Sequence, residues 1–182
     1  MKKILFSAIL VLTITAASFG MDLALGGGIQ YHGTYDMKWK WTPEDEWGTV
    51  SDTDLGIFFF LDMKYLELDA MFHYGIVTYS YDNRPDEDGS GLAVELALLG
   101  KYPFSFGNFT IYPLLGVTYQ FIFFAGGPGF LGGAGFGYAL NERLYLRGDL
   151  AYGIRFWRDS HADSTFGHGP RVKLGIGYHL KD

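Results

Sequence analysis

The chain has 182 residues, which suits a single domain, and combines 18% aromatic residues and 26 glycines with 19% charged residues. With no cysteine, it excludes disulfides, thiol nucleophiles, thiolate metal sites and a lipid anchor on an N-terminal cysteine. A formal net charge of −6, more acidic still once Lys2 and Lys3 leave with a leader, argues against a nucleic-acid partner.

The first twenty residues read as a secretory signal peptide. Lys2 and Lys3 precede an apolar run over 4–14, and Thr15, Ala16, Ala17, Ser18, Phe19 and Gly20 close it with mostly small residues. The run is too short for a membrane-spanning helix, which needs about 20 apolar residues. Cleavage is expected after Ala17 or Gly20, leaving 21–182 as one domain.

Beyond Gly20 the chain alternates. In residues 23–37 one face carries Leu23, Leu25, Ile29, Tyr31 and Tyr35; the other carries Gly26, Gly28, Gln30, His32 and Thr34. A period of two with one apolar face is a strand. The second run, 54–61, is apolar on both faces, with Leu55, Ile57, Phe59 and Leu61 against Gly56, Phe58 and Phe60. After a tight turn at Asp62, Met63 and Lys64, a third strand sets Leu68, Phe72 and Tyr74 against Glu67, Asp69 and His73. A polar stretch over 82–91, with Asp82, Asp86, Glu87 and Asp88, reads as a loop with a solvated acidic tip.

The fourth strand opposes Leu92, Val94 and Leu96 to Ala93, Glu95, Ala97 and Lys101; the fifth opposes Ile111, Leu115 and Tyr119 to Tyr112, Leu114 and Thr118. After a glycine-rich loop at 125–129, the sixth carries Phe130, Phe136 and Tyr138 against Gly133, Gly135 and Gly137. The seventh sets Leu146, Leu150 and Phe156 against Tyr145, Arg147, Asp149 and Arg155. A polar loop over 158–169 leads to the eighth, where Val172, Leu174 and Tyr178 oppose Arg171, Lys173, Gly175 and Gly177. Short and longer connections alternate, as in a barrel with both termini at one rim. The reading is an all-β, eight-stranded antiparallel up-and-down transmembrane β-barrel in a bacterial outer membrane, behind a cleaved signal peptide.

A soluble eight-stranded barrel is the rival, and the faces separate the two. Glu67, Asp69, Glu95, Arg147, Asp149, Arg155, Arg171 and Lys173 share the glycine-rich faces, which suit a narrow interior. Tyr31, Trp39, Tyr74, Tyr119, Phe121, Tyr138, Phe156 and Tyr178 lie on the apolar faces near strand ends, as interfacial girdles do.

In this arrangement the chain resembles the small outer-membrane barrels of the OmpX, OmpA-barrel and OmpW type. The resemblance covers residues 21 to 182. Its most specific local element is the last strand, where Lys173, Gly175, Tyr178 and Leu180 match the spacing of the C-terminal signal read by the barrel-assembly machinery. Leu180 stands where an aromatic is common, and Lys181 and Asp182 come after it. The resemblance implies assembly by that machinery and an outer-membrane lipid surround.

The eight inward charges have balanced signs and read as a lumen network of self-neutralising salt bridges, not as a selective pore or a catalytic carboxylate pair. Phe58, Phe60, Tyr112, Leu114 and Tyr145 are expected to narrow the periplasmic half. His32 and His73 point inward without an evident third ligand, so no metal site and no cofactor are assigned. His161, Asp163, Ser164 and His168 have hydrolase residue types but fall in a loop with no rigid strand to hold them. In the first external loop, 38–52, Trp39 and Trp41 fit the interfacial belt, and Trp47 beyond the acidic tip is the contact candidate for an extracellular ligand. The functional expectation is a non-enzymatic envelope protein whose surface loops serve adhesion or recognition. A narrow conduit for small or hydrophobic solutes is the alternative, and a lipid-modifying enzyme the third.

Overall fold

The computed structural model describes residues 22–41, 46–81, 85–122, 125–159 and 162–180. Residues 1–21, on which the signal-peptide expectation falls, lie outside them. Period-two alternation builds β1 (Ala24–Trp41), β2 (Glu46–Asp62), β3 (Leu66–Tyr81), β4 (Glu87–Lys101), the short β5 (Phe104–Phe106), β6 (Phe109–Ile122), β7 (Ala125–Ala139), β8 (Leu144–Asp159) and β9 (Ala162–His179). The eight long strands pair antiparallel in chain order; β4 pairs with β6, and β1 pairs with β9. They close into a ring, with β5 continuing the line of β4 along β6. The fold is the eight-stranded up-and-down barrel that the alternation predicts.

Ala24 pairs with both Asp62 and His179, so the two ends of the described chain meet at one rim. The turns at that rim are tight. Lys64 takes φ 69°, and its N–H donates to Asp62 Oδ1 at 2.8 Å. Gly107 supplies φ 61° between β5 and β6, a backbone form open to glycine without steric cost. Asn141 Oδ1 accepts the N–H groups of Arg143 and Leu144, both at 2.9 Å, and so closes the β7–β8 turn.

At the opposite rim the strands run further than expected. Residues 38–52, 82–91, 125–129 and 158–169 read as loops, yet most of them are paired strand. β1 and β2 pair up to Trp41 and Glu46, β6 and β7 up to Ile122 and Ala125, and β8 and β9 up to Asp159 and Ala162. Polar composition suggests loop there, but Thr49, Val50 and Thr165 are β-branched, and a hairpin arm satisfies its own backbone wherever its partner continues.

Among the described residues, three prolines lie inside strands, each at a gap in the ladder. Pro113 sits between the β4 and β5 stretches paired to β6. Pro128 pairs toward β6, just before the β7–β8 ladder begins at Gly129. Pro170 lies where the β1–β9 pairing skips from Arg171 to His168. A residue without an N–H costs nothing where no partner waits for one.

The pleat sorts the side chains. Leu115 is 71% exposed, and Ile29, Leu55 and Leu150 are each near 65%, while Glu67 and Glu95 are at most 1% exposed. Apolar residues therefore coat the outside and charges fill the inside, the inverse of a soluble barrel. β2, apolar on both faces, resolves the same way, with Phe58 and Phe60 buried and Ile57 and Phe59 outward.

Glycine makes the seam between β1 and β9 close. A Cβ on Gly28 would overlap the Leu174 carbonyl oxygen, whereas one on Gly91 of β4 meets nothing within 4 Å. Gly28→Ala is expected to destabilise the barrel by about 1–3 kcal/mol, and Gly91→Ala to stay within about 0.5 kcal/mol of the parent. Urea unfolding followed by heat-modifiable gel migration measures both.

Candidate functional site in the barrel lumen

An eight-stranded barrel has an interior just wide enough to be filled by side chains. Here the filling has three parts. Toward the rim where the chain ends meet, Phe58, Phe60, Met71, Leu99, Tyr112, Leu114 and Leu131 form one buried apolar cluster, with Tyr145 packed against it. All five residues expected to narrow this half are in it.

Woven through the cluster is a group of ion pairs. Glu67 accepts from Lys101 Nζ at 2.8 Å, and its other oxygen lies 2.9 Å from Arg147 Nη2. Lys101 also reaches Asp62 Oδ2 at 2.6 Å, Arg147 pairs with Asp149, and Asp149 accepts the Tyr112 hydroxyl at 2.6 Å. Lys173 pairs with Asp69 across the lumen. The cations also lie over aromatic faces, Arg147 at 4.4 Å from the Phe60 ring centre and Lys173 at 5.3 Å from that of Phe58. Such contacts compensate part of the desolvation that burial imposes on each charge.

The third part lies further along the strands. Glu95 receives both Arg171, in a two-pronged pair, and Arg155 at 3.0 Å. Arg155 Nη1 stands 3.9 Å from Asp52. Next to it, Asp54 Oδ2 faces His32 Nδ1 at 3.2 Å and His73 Nδ1 at 3.0 Å. His32 Nε2 is 3.2 Å from the Thr34 hydroxyl.

The eight charges read from the sequence are thus all buried and distributed over these two groups. Four partners are missing from that reading: Asp52, Asp54, Asp62 and Lys101. Alternation places Lys101 on the inward face but does not tie it to the network. Asp52 and Asp62 fall in segments that read as loop and turn. Asp54 corrects the reading of the histidines, for which no third ligand is evident in the sequence. It shares the parity of Gly56 and Phe58 and pairs with His32 in register, so parity alone would have placed it beside them.

His161 lies outside the described residues, as do the side chains of Asp163 and Ser164; His168 bonds the Tyr152 hydroxyl on the outer wall. Trp47 stands in β2 opposite Lys40, not in a loop, and its side chain is outside the described residues, as are those of Trp39 and Trp41. Asp82 also lies outside them; Asp86 and Glu87 are exposed, and Asp88 accepts the Thr78 hydroxyl at 2.9 Å. In the last strand, Lys173 points inward, Gly175 packs against Phe58, and Tyr178 points outward and accepts a hydrogen bond from Arg143 at 2.9 Å. Leu180 comes next at the rim, its N–H donating to the Leu23 carbonyl.

Thr34, His32 and Asp54 have the residue types of a hydrolytic triad, but Thr34 is 1% exposed, which leaves a substrate carbonyl no approach.

No protein-family model matches the chain, and no curated protein does. Solved structures do match. The crystal structure of Neisserial surface protein A aligns with a TM-score of 0.53 at 11% identity, covering 87% of this chain and 97% of that one. The fold is that of a small outer-membrane β-barrel. The translocator domain of the autotransporter NalP from Neisseria meningitidis matches at 13% identity and a TM-score of 0.32, over 97% of this chain and 96% of its own. An outer-membrane channel from Pseudomonas putida matches at 10% and 0.31, over 88% and 96%. Scores that low add nothing to the assignment.

Glu95 is the joint of the second ion-pair group. Glu95→Gln leaves two buried guanidinium groups without their shared counter-charge, and a broken buried pair costs about 3–5 kcal/mol. The variant is expected to unfold at clearly lower urea than the parent, read by tryptophan fluorescence in detergent.

Proposed function

We propose that the protein is a non-enzymatic integral barrel of the bacterial outer membrane, with a lumen that does not conduct and outward hairpins that serve adhesion or recognition. The observation that carries this reading is the filling of the lumen. An apolar cluster and two ion-pair groups occupy the space a solute would need, and their cations and acids pair with one another. A selective pore keeps a ring of one sign open to water, and here cations and acids close on each other.

The apolar exterior supports the membrane setting. Exposed tyrosines and phenylalanines, among them Tyr65, Tyr102 and Phe106 near one rim and Tyr74, Tyr119 and Phe121 toward the other, suit the two interfaces of a bilayer. Insertion by the barrel-assembly machinery, with Lys173, Gly175, Tyr178 and Leu180 as its signal, fits the spacing of β9. The β1–β2 hairpin that carries Trp47 is the proposed contact arm for an extracellular ligand.

Planar-bilayer recordings on the detergent-extracted protein are expected to show no conductance steps above background. Reproducible steps would favour a narrow conduit instead. The lipid setting has its own measurement. Leu115→Arg, in the middle of the outer face of β6, is expected to lower folding stability in liposomes by about 2–4 kcal/mol. An unchanged stability would place that face in water.

A further inference from the structure

We propose that His32, Asp54 and His73 bind a divalent transition-metal ion of the zinc class inside the barrel. The three residues come from β1, β2 and β3, and their candidate ligand atoms all lie within 4.8 Å of one another. Asp54 Oδ2 is the shared vertex, 3.2 Å from His32 Nδ1 and 3.0 Å from His73 Nδ1. A tetrahedral zinc site with bonds of about 2.0–2.1 Å separates its ligand atoms by about 3.3 Å. Two edges of the site are thus already near that length.

One tautomer of His32 presents a ligand atom to Asp54. Arg155 Nη2 lies 3.3 Å from His32 Nδ1, and an arginine only donates, so it calls for a lone pair on that nitrogen. His32 then carries its proton on Nε2, where the Thr34 hydroxyl can accept it. The same Nδ1 lone pair lies 3.2 Å from Asp54 Oδ2, so a metal ion there takes it in place of the Arg155 contact. A metal ion at that position bonds both atoms, and the Thr34 contact is the outer-shell support that a ligating imidazole takes.

His73 is 2% exposed, and its one hydrogen bond among the described residues runs through Nδ1 to Asp54. The charges also leave room for a cation. Asp52, Asp54 and Glu95 meet Arg155 and Arg171, an acid surplus among the described residues in this part of the lumen while both imidazoles are neutral. Two nitrogens and one carboxylate oxygen suit zinc, nickel or copper better than calcium or magnesium. Three protein ligands leave a fourth position for water.

The test uses the full protein extracted from membranes in detergent, without an affinity tag, with cobalt(II) as the probe. Saturable binding of one ion per chain is expected, with the visible absorption of a tetrahedral site and displacement by zinc. His73→Gln and Asp54→Asn should each weaken binding at least tenfold while heat-modifiable migration shows them folded. Thr34→Val, which removes only the outer support, should weaken it about tenfold. The remaining histidines supply the control, and His161→Gln, His168→Gln and His179→Gln combined should leave binding unchanged. Absence of saturable binding to the folded parent protein overturns the site, which needs no variant to fold. So does binding that survives His73→Gln or Asp54→Asn, or that disappears with the three outer histidines.

Discussion

Closure at eight strands is the constraint on which the rest of this molecule depends. The ring is complete because β4 meets β6 and β1 meets β9, and the inside of a ring of that size is filled by side chains. Every inward side chain must then find its partner on another inward side chain. A charge there has no solvent to fall back on, so Glu67, Glu95, Arg147 and Arg171 are tied to opposite charges and to one another's neighbours. The outward side chains face the reverse demand and carry almost nothing polar along the middle of the strands.

The way the lumen combines chemistry has its origin in the same narrowness. Buried ion pairs alone repay their desolvation poorly. In this barrel the cations lie between carboxylates and aromatic rings, as Arg147 does between Glu67, Asp149 and Phe60. Tyr112 contributes twice, its ring beneath Lys101 and its hydroxyl on Asp149. The apolar cluster and the inner charges are therefore one packed unit and not alternating layers.

Much of this was legible in the sequence because strand parity is a binary code. Once Glu95 is inside, so are Ala93, Ala97 and Lys101, and the same step of two places Arg147 with Asp149 and Arg171 with Lys173. Parity failed where polarity was allowed to overrule it. Asp52 keeps the alternation of β2, but its hydrophilic company resembles a loop. It also failed between strands, because a single sequence gives the face of a residue and not its register. The meeting of His32 with Asp54, and of Asp54 with His73, depends on how β1, β2 and β3 slide past each other. No periodicity within one strand records that.

The seam between the first and last strands has one more consequence. Around the rest of the ring, neighbours in space are neighbours in the chain, so their register is steered by the hairpin that joins them. Only β1 and β9 must find each other over nearly the whole length of the domain. The cations of β9 are answered from across the lumen, Lys173 by Asp69 on β3 and Arg171 by Glu95 on β4. A slip of one residue along the seam would turn both cations out into hydrocarbon and strand both acids inside. The opposite wall thus acts as a proofreader of the closing strand, accepting one alignment and penalising its neighbours at the moment the ring shuts.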